Sequence, residues 1–369
     1  MAEIEKGLPN EPDLKVEDVA VDTVVEDIKE EPKEVEVMET ADGGAEISFD
    51  PNAVEPVSSS HDQNLAELLD DTILDPLGSK LVEDYKDYRS SRKDWEDCYR
   101  NGLDLLGFKY ERRTEPFRGA SGVTHPVLSE AVTQFQAQAY KELLPSDGPV
   151  RTQILGAQTP QKQDQSNRIK DFMNYQIMDQ MKEYEPEFDQ MLFYLPLSGS
   201  TFKKVYYDDL LGRAVSKFIP ADDLVVPYSA TSLDDAEAVV HVIKMSENDL
   251  RKQQVNGFYK DVDLAQPAMQ TDDITKKEQE IEGVKQTKQD DIYTLLECHV
   301  NVDLEGFEDM GDDGMPTGIK LPYVITVEEG SRQVLSIRRN YKEGDSKKTK
   351  TNYFVHFKFL PGLGFYGFG

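Results

Sequence analysis

Up to about residue 60 the apolar positions never gather into a face. Val and Ile in VDTVVEDIKEEPKEVEVMET are repeatedly interrupted by Asp, Glu or Lys, and Pro9, Pro12, Pro32, Pro51 and Pro56 break any longer period. Such a stretch cannot bury enough surface to offset the entropy of ordering it, so residues 1–61 read as a disordered acidic tail. From Asp62 the spacing becomes helical: Leu65, Leu68, Leu69 and Ile73, then Leu81, Tyr85 and Tyr88, with Pro76-Leu77-Gly78 as a break between them. Leu128, Ala131, Val132, Phe135, Ala139 and Leu143 mark a second apolar face, stopped by Pro145-Ser146-Asp147-Gly148. A third helix is expected from about Pro160, with Ile169, Phe172, Met173, Ile177, Met181 and Tyr184 on a stripe, and a fourth from Phe188 through Met191 and Leu192 to Leu195. Both the second face and the third stripe are assigned to intramolecular core in preference to a subunit interface.

After Ser198-Gly199 the period switches to two in TFKKVYYD, RAVSKFIP and EAVVHVIKM, each bounded by Gly, Pro or Asp, and these read as strands. Ser246 caps a short helix reaching Val255, and residues 274–289 form a polar helix or a mobile excursion. Strands return over residues 291–303, 320–327, 333–340 and 352–359. The fold class is therefore α+β: a helical region over 62–200, a β-rich region over 201–369, and the acidic tail in front. The apolar, aromatic end LPGLGFYGFG suggests a fragment whose next element is missing.

Charge sharpens this picture. Seventy-one Asp and Glu against 41 Lys and Arg give a net charge of −30, and the first 60 residues alone hold 18 acids and four lysines. A conventional nucleic-acid binder, with its basic patches, is excluded. The 38% hydrophobic content allows a sizeable core, and at roughly 150 residues per domain the length fits two domains plus a tail. No run approaches the ~18 apolar residues of a membrane span, and the acidic start lacks the features of a signal peptide. Cys98 and Cys298 alone build neither a disulfide framework nor a zinc knuckle.

Short motifs offer little chemistry. Gly362-Leu-Gly364-Phe-Tyr-Gly367 is a literal GxGxxG, but the helix and the later acidic residue of a dinucleotide site do not follow, and a glycine-rich strand-to-helix bend is the better reading. Gly119-Ala-Ser-Gly122 lacks the lysine of a phosphate loop, and Leu197-Ser198-Gly199-Ser200 is not a nucleophile elbow. The five histidines make no i, i+4 pair and no HExxH. Alternation puts Glu297, His299, Asn301 and Asp303 on one strand face; a solvated polar face is preferred there, and a metal-dependent nuclease using Glu297, His299 and Asp303 is the sharper alternative. Asp309, Asp312 and Asp313 miss EF-hand spacing and read as a turn. Arg338-Arg339 and Lys347-Lys348 with Lys350 read as solvated turn residues rather than a phosphate site. No catalytic residue, cofactor or metal is expected.

Three longer stretches are more specific. FRGASGVTHPVLSEAVTQFQAQAYKELLPSDGPV over residues 117–150 resembles the portal, or head-to-tail connector, proteins of tailed phages of the short-tailed podovirus type. DFMNYQIMDQMKEYEPEFDQMLFYLPLSGSTFKKVYYDD with FIPADDLVVPYSA, and then YFVHFKFLPGLGFYGFG, are similar to the same family in order and spacing, so the likeness runs from about Asp62 to Gly369. The resemblance implies a structural virion protein without a catalytic centre. It would form a ring homo-oligomer, usually a dodecamer, at one capsid vertex, assembled in the cytoplasm of a bacterial host. Viral double-stranded DNA would pass through it without sequence-specific binding. Implied partners are the terminase large subunit, scaffolding protein, major capsid protein and tail or head-completion adaptors; no membrane is involved. This portion would be the wing, with the glycines of residues 362–369 articulating a missing stem. Positions singled out for subunit contacts or structural motifs are Phe117, Arg118, Gly119, His125, Pro126, Gly199, Phe202, Gly362, Gly364 and Gly367. A surplus of carboxylates suits a conduit that must not grip phosphates. The leading alternative is an acidic scaffold-like assembly protein without a pore.

Overall fold

The computed structural model describes residues 38–39, 45–46, 61–106, 117–120, 125–208, 211–266, 272–284, 292–311 and 314–369. Apart from its last residue and one short ladder, the acidic tail lies outside the described residues. That ladder pairs Met38–Glu39 (β1) with Ala45–Glu46 (β2) within a unit, residues 1–58, that is distinct from residues 59–369.

The larger unit is mixed helix and antiparallel sheet. Its helices are α1 Asp71–Ser91, α2 Lys93–Leu105, α3 Val127–Leu143, α4 Pro160–Tyr175, α5 Tyr184–Ser198, α6 Glu247–Val255 and α7 Asp273–Glu282. A π-helical turn, Gln176–Gln180, extends α4. Its strands are β3 Ser200–Asp208, β4 Arg213–Pro220, β5 Leu224–Val225, β6 Ala238–Ser246, β7 Ile292–Val302, β8 Leu321–Glu328, β9 Val334–Arg339 and β10 Phe354–Lys358. They form a three-stranded sheet in the order β10-β3-β4 and a five-stranded sheet in the order β5-β6-β7-β8-β9. The small sheet is non-local: β10 lays His356 opposite Phe202 and Lys358 opposite Ser200.

The main core lies between α1 and the five-stranded sheet, where Leu74, Leu81, Val82 and Tyr85 meet Val240, Leu296, Cys298, Ile325 and Ile337. The break expected at Pro76-Leu77-Gly78 does not occur; α1 runs through it. An interior proline costs about 3 kcal/mol. Burying four large side chains at roughly 1.5–3 kcal/mol each outweighs that, so the packing face overrides the local breaker. Gly78 marks close approach instead: a Cβ there would lie 2.1 Å from the Arg332 carbonyl oxygen in the β8–β9 turn.

The start of the unit is stitched to the far edge of the same sheet. Buried Asn64 donates to the Leu335 carbonyl at 3.1 Å and accepts from the Ile337 N–H at 2.9 Å. Arg338 and Arg339 are not solvated turn residues: they donate to the Asp62 and His61 carbonyls and lie over the Phe258 and Phe307 rings. Lys350 likewise donates to the carbonyls of Leu233 and Ala236.

Helix α5 covers the small sheet through Phe188, Met191 and Leu192, which meet Phe218, Phe357 and Leu144. It continues past Pro196 and stops at Gly199, whose φ of +76 supplies the left-handed cap that a glycine adopts at no steric cost. The apolar face of α3 is only partly core: Val132 is buried and Phe135 and Ala139 pack on the α5 cluster, while Val127 and Leu143 are exposed. The third stripe departs further from expectation, because no residue of α4 is buried. Ile169, Phe172 and Met173 of the stripe, with Tyr175 beside them, are largely exposed, whereas Ile177, Met181 and Tyr184 further along are partly buried and Tyr184 packs on the α5 cluster.

Candidate functional site

The β7 face expected to be solvated is so only at its end, where Asn301 and Asp303 are exposed; its first half is covered. Glu297 and His299 lie beneath β3 and β10, and the antiparallel register of β6 brings His241 opposite Glu297. Lys204 crosses from β3 to place Nζ 2.6 Å from both carboxylate oxygens of Glu297. Since a carboxylate only accepts, the 2.8 Å contact to His299 requires the proton on Nε2. His241 Nδ1 stands 3.7 Å away. Burial alone would raise the Glu297 pKa, but Lys204 and the two imidazoles hold it well below the usual carboxylate range. Burial lowers both histidines, which leaves Lys204 as the counter-charge. A metal ion would have to displace that ammonium, and among the described residues no group of three or more His, Cys, Asp or Glu side chains is arranged to hold one. The cluster joins the two sheets as a closed salt link.

A second cluster is acidic. Asp222 and Asp223, on the 3-10 turn after β4, and Glu278, on α7, are all raised by burial first; the next cause is the Asp272 carboxylate for Asp222 and the Asp222 carboxylate for the other two, which lie at about 7 for Asp223 and about 8 for Glu278. Tyr99 donates to Glu278 at 3.3 Å, and Arg89 pairs with the α7 cap Asp272 at 3.3 Å. One oxygen of Asp222 is buried with no hydrogen bond.

The end of the chain closes the third arrangement. Rather than bending into a helix, residues 359–369 turn back, with Leu360 and Phe368 exchanging backbone hydrogen bonds at 3.2 and 2.9 Å. This buries Phe365 against Phe202 and stacks Tyr366 on Trp95 at 4.7 Å. Arg92, at the α1–α2 junction, holds the assembly together. Its guanidinium donates to the carbonyls of Ala221, Asp222 and Leu224, to the Tyr366 hydroxyl at 2.8 Å and to Glu96 at 2.9 Å. The Tyr366 hydroxyl in turn donates to the Leu224 carbonyl at 2.9 Å. Gly199 and Gly367 meet backbone to backbone: a Cβ on either would fall 2.4 Å from the other's carbonyl oxygen.

Ser200 and His356, 3.1 Å apart here, imitate a nucleophile and its base. Ser200 is wholly buried, its Oγ already accepts the Gly367 N–H at 2.8 Å, and burial pushes His356 down to about 3. The pair therefore fastens the chain end and offers no attacking oxygen. Beside it a crevice of about 320 Å³ opens between Trp95, Pro227, Tyr228 and residues 364–368.

Of the positions singled out by sequence, Gly199, Phe202 and Gly367 come together in this clasp, with Gly362 at its turn, 2.9 Å as a Cβ from the Tyr366 carbonyl oxygen, and Gly364 in open space. Phe117, Arg118 and Gly119 are exposed on one turn, and His125 and Pro126 are exposed before α3; they are not part of it. Asp309 pairs with Lys348 and Thr317, as a turn residue would, while Asp312 and Asp313 lie outside the described residues. Arg92, Trp95, Lys204 and His241 carry the polar interior and were not singled out by the sequence, His241 entering only as one of five histidines without a pairing. A single arginine in a helical stretch, and histidines on separate strands, carry no spacing signal.

These arrangements define a protein whose buried charges join segments and whose unsatisfied surface is apolar. Comparison with protein families and with curated proteins finds no match to the chain. Among the described residues no helix is long and apolar enough to cross a membrane.

Proposed function

We propose that the chain is a protomer of a phage portal ring, a structural virion protein at the vertex through which DNA is packaged and ejected. The observation that carries this reading is the convergence of the stretches on which the resemblance rests. Phe202, Ile219, Ala221, Leu224, Val226 and Phe365, drawn from segments up to about 160 residues apart, share one core. Residues 117–150 contribute Phe135, which packs edge-on against Phe359 at 5.2 Å. Segments that resemble one family and also build one another's core fit a common structural unit better than coincidental similarity.

Two features add support. Lys204 with Glu297, and Arg92 with the carbonyls it meets, fasten distant segments to one another, as suits a protein that bears load in an assembly. The outward apolar stripe on α4 is left uncovered by the described residues, as the contact face of a ring subunit would be. Its partners on this reading are further copies of itself, the terminase large subunit, scaffolding protein, major capsid protein and tail or head-completion adaptors, with double-stranded DNA passing an acidic wall.

Negative-stain electron microscopy with mass by light scattering tests the proposal. Rings of one diameter with a central hole are the expected result; polydisperse or dimeric species without a hole would replace it with the scaffold-like alternative.

A further inference from the structure

We infer that the outward face of α4 is the contact by which one copy of this chain docks on the acidic surface of a second copy. This deepens the ring reading and rests on it. Helix α4 is sixteen residues long with no buried residue. It is tied to the chain along one side only, by Ser166 to Thr152 at 2.8 Å and by Asn174 to the Val150 N–H at 2.9 Å. On the rest of its circumference Ile169, Phe172, Met173 and Tyr175 are 42 to 57% exposed. Isolated helices of this length are marginal in water, and such a helix gains most of its stability from covering its apolar positions. Their cover must come from outside the described chain.

Charge selects the occupant. Between Arg151 and Lys182 five basic residues outnumber three acidic ones, in a chain whose net charge is −30. The basic side chains Lys162 and Arg168 are exposed on α4 beside the stripe, Arg168 in a loose, solvent-screened pair with Asp164 at 3.5 Å. A weakly basic, partly apolar helix on an otherwise strongly acidic protein is complementary to the rest of that same protein. Nucleic acid would want more charge and fewer apolar side chains. A contact of this helix with a different, acidic part of the next copy is head-to-tail, the kind that closes a ring.

The test uses the full chain, with Phe172→Asp and Arg168→Glu variants and a photo-reactive benzoylphenylalanine at position 172. Association is measured by light scattering across concentration and salt, and folding by thermal melts. The expected result has four parts: the unsubstituted chain associates and weakens with salt; each variant raises the association midpoint roughly tenfold or more; melting of the dissociated chain is unchanged; and the probe cross-links one copy to another. If the chain associates while both variants keep its mass and the probe joins no copies, this contact is wrong and the ring reading stands. A chain that stays monomeric at every concentration overturns both.

Discussion

The α1–α2 junction and helix α4 are opposite exceptions to the rule that polar groups face water and apolar groups avoid it. At the junction a guanidinium is sealed inside, its side chain 4% exposed. On α4 large apolar side chains stand in solvent. The first exception is resolved within the chain, since three carbonyls, a hydroxyl and a carboxylate take up the guanidinium's donors. The second is not resolved among the described residues. A misplaced group with all its partners nearby reports on how a fold is fastened, and one without them reports on what the fold meets.

The sharpest way to break the contrast is Arg92→Met, which takes the guanidinium from the Ala221 and Asp222 carbonyls and leaves Leu224 with Tyr366 and Glu96 with Arg89 alone. A loss of about 3–5 kcal/mol is expected in urea unfolding, and Arg92→Lys should recover little because an ammonium cannot reach so many acceptors at once. Glu297→Gln should cost about 3 kcal/mol by stranding Lys204, whereas Lys204→Met with Glu297→Met together should restore most of it. Gly199→Ala combines a left-handed backbone with a clash on the Gly367 carbonyl, and a loss of at least about 2 kcal/mol is expected.

The acidic cluster predicts a smaller effect that depends on pH. A carboxyl whose folded pKa is raised holds a proton that the unfolded chain gives up above about 4. Its contribution to stability is full below that point, declines as pH rises, and is gone above the folded values of about 7 for Asp223 and about 8 for Glu278. Above about pH 7, where the buried histidines are neutral whether folded or unfolded, thermal melts should therefore fall toward pH 8.5, and Glu278→Gln should flatten the slope and raise Tm at pH 8.5 by roughly 2–4 °C. Smallest of all, Phe172→Ser should change the unfolding free energy of the dissociated chain by less than about 0.5 kcal/mol. A large loss there would mean that α4 is core after all.

Periodicity found α1, α3 and α5 and most of the strands because each buries a face; it did not find α2. The spacing of Leu128, Val132 and Phe135 gave α3, and alternation in TFKKVYYD and RAVSKFIP gave the β3–β4 hairpin. It failed where the deciding contact is distant in sequence. Pro76 reads as a breaker until the sheet under α1 is known. Glu297 and His299 read as solvated until β3 and β10, about 90 residues before and 60 after, are laid over them. The stripe on α4 was correctly periodic, but period cannot distinguish a face covered by the same chain from one left for another. The clasp was partly legible: the glycines at 199 and 367 stood out as backbone signals, while Arg92, which holds their surroundings, did not.

The pairing of β3 with β10 also has a consequence in time. Some 150 residues separate the two strands, and at roughly 5–20 residues per second the ribosome needs on the order of 8 to 30 s to deliver the partner. Through that interval β3 has β4 on one side and an open edge on the other, the kind of edge that recruits foreign strands. Lys203 and Lys204 sit in the middle of it, where charge discourages such pairing. In the finished protein the same two lysines are drawn inward, Lys204 to Glu297 and Lys203 over the Tyr184 ring at 3.9 Å, so residues that guard the nascent strand become interior contacts of the mature one.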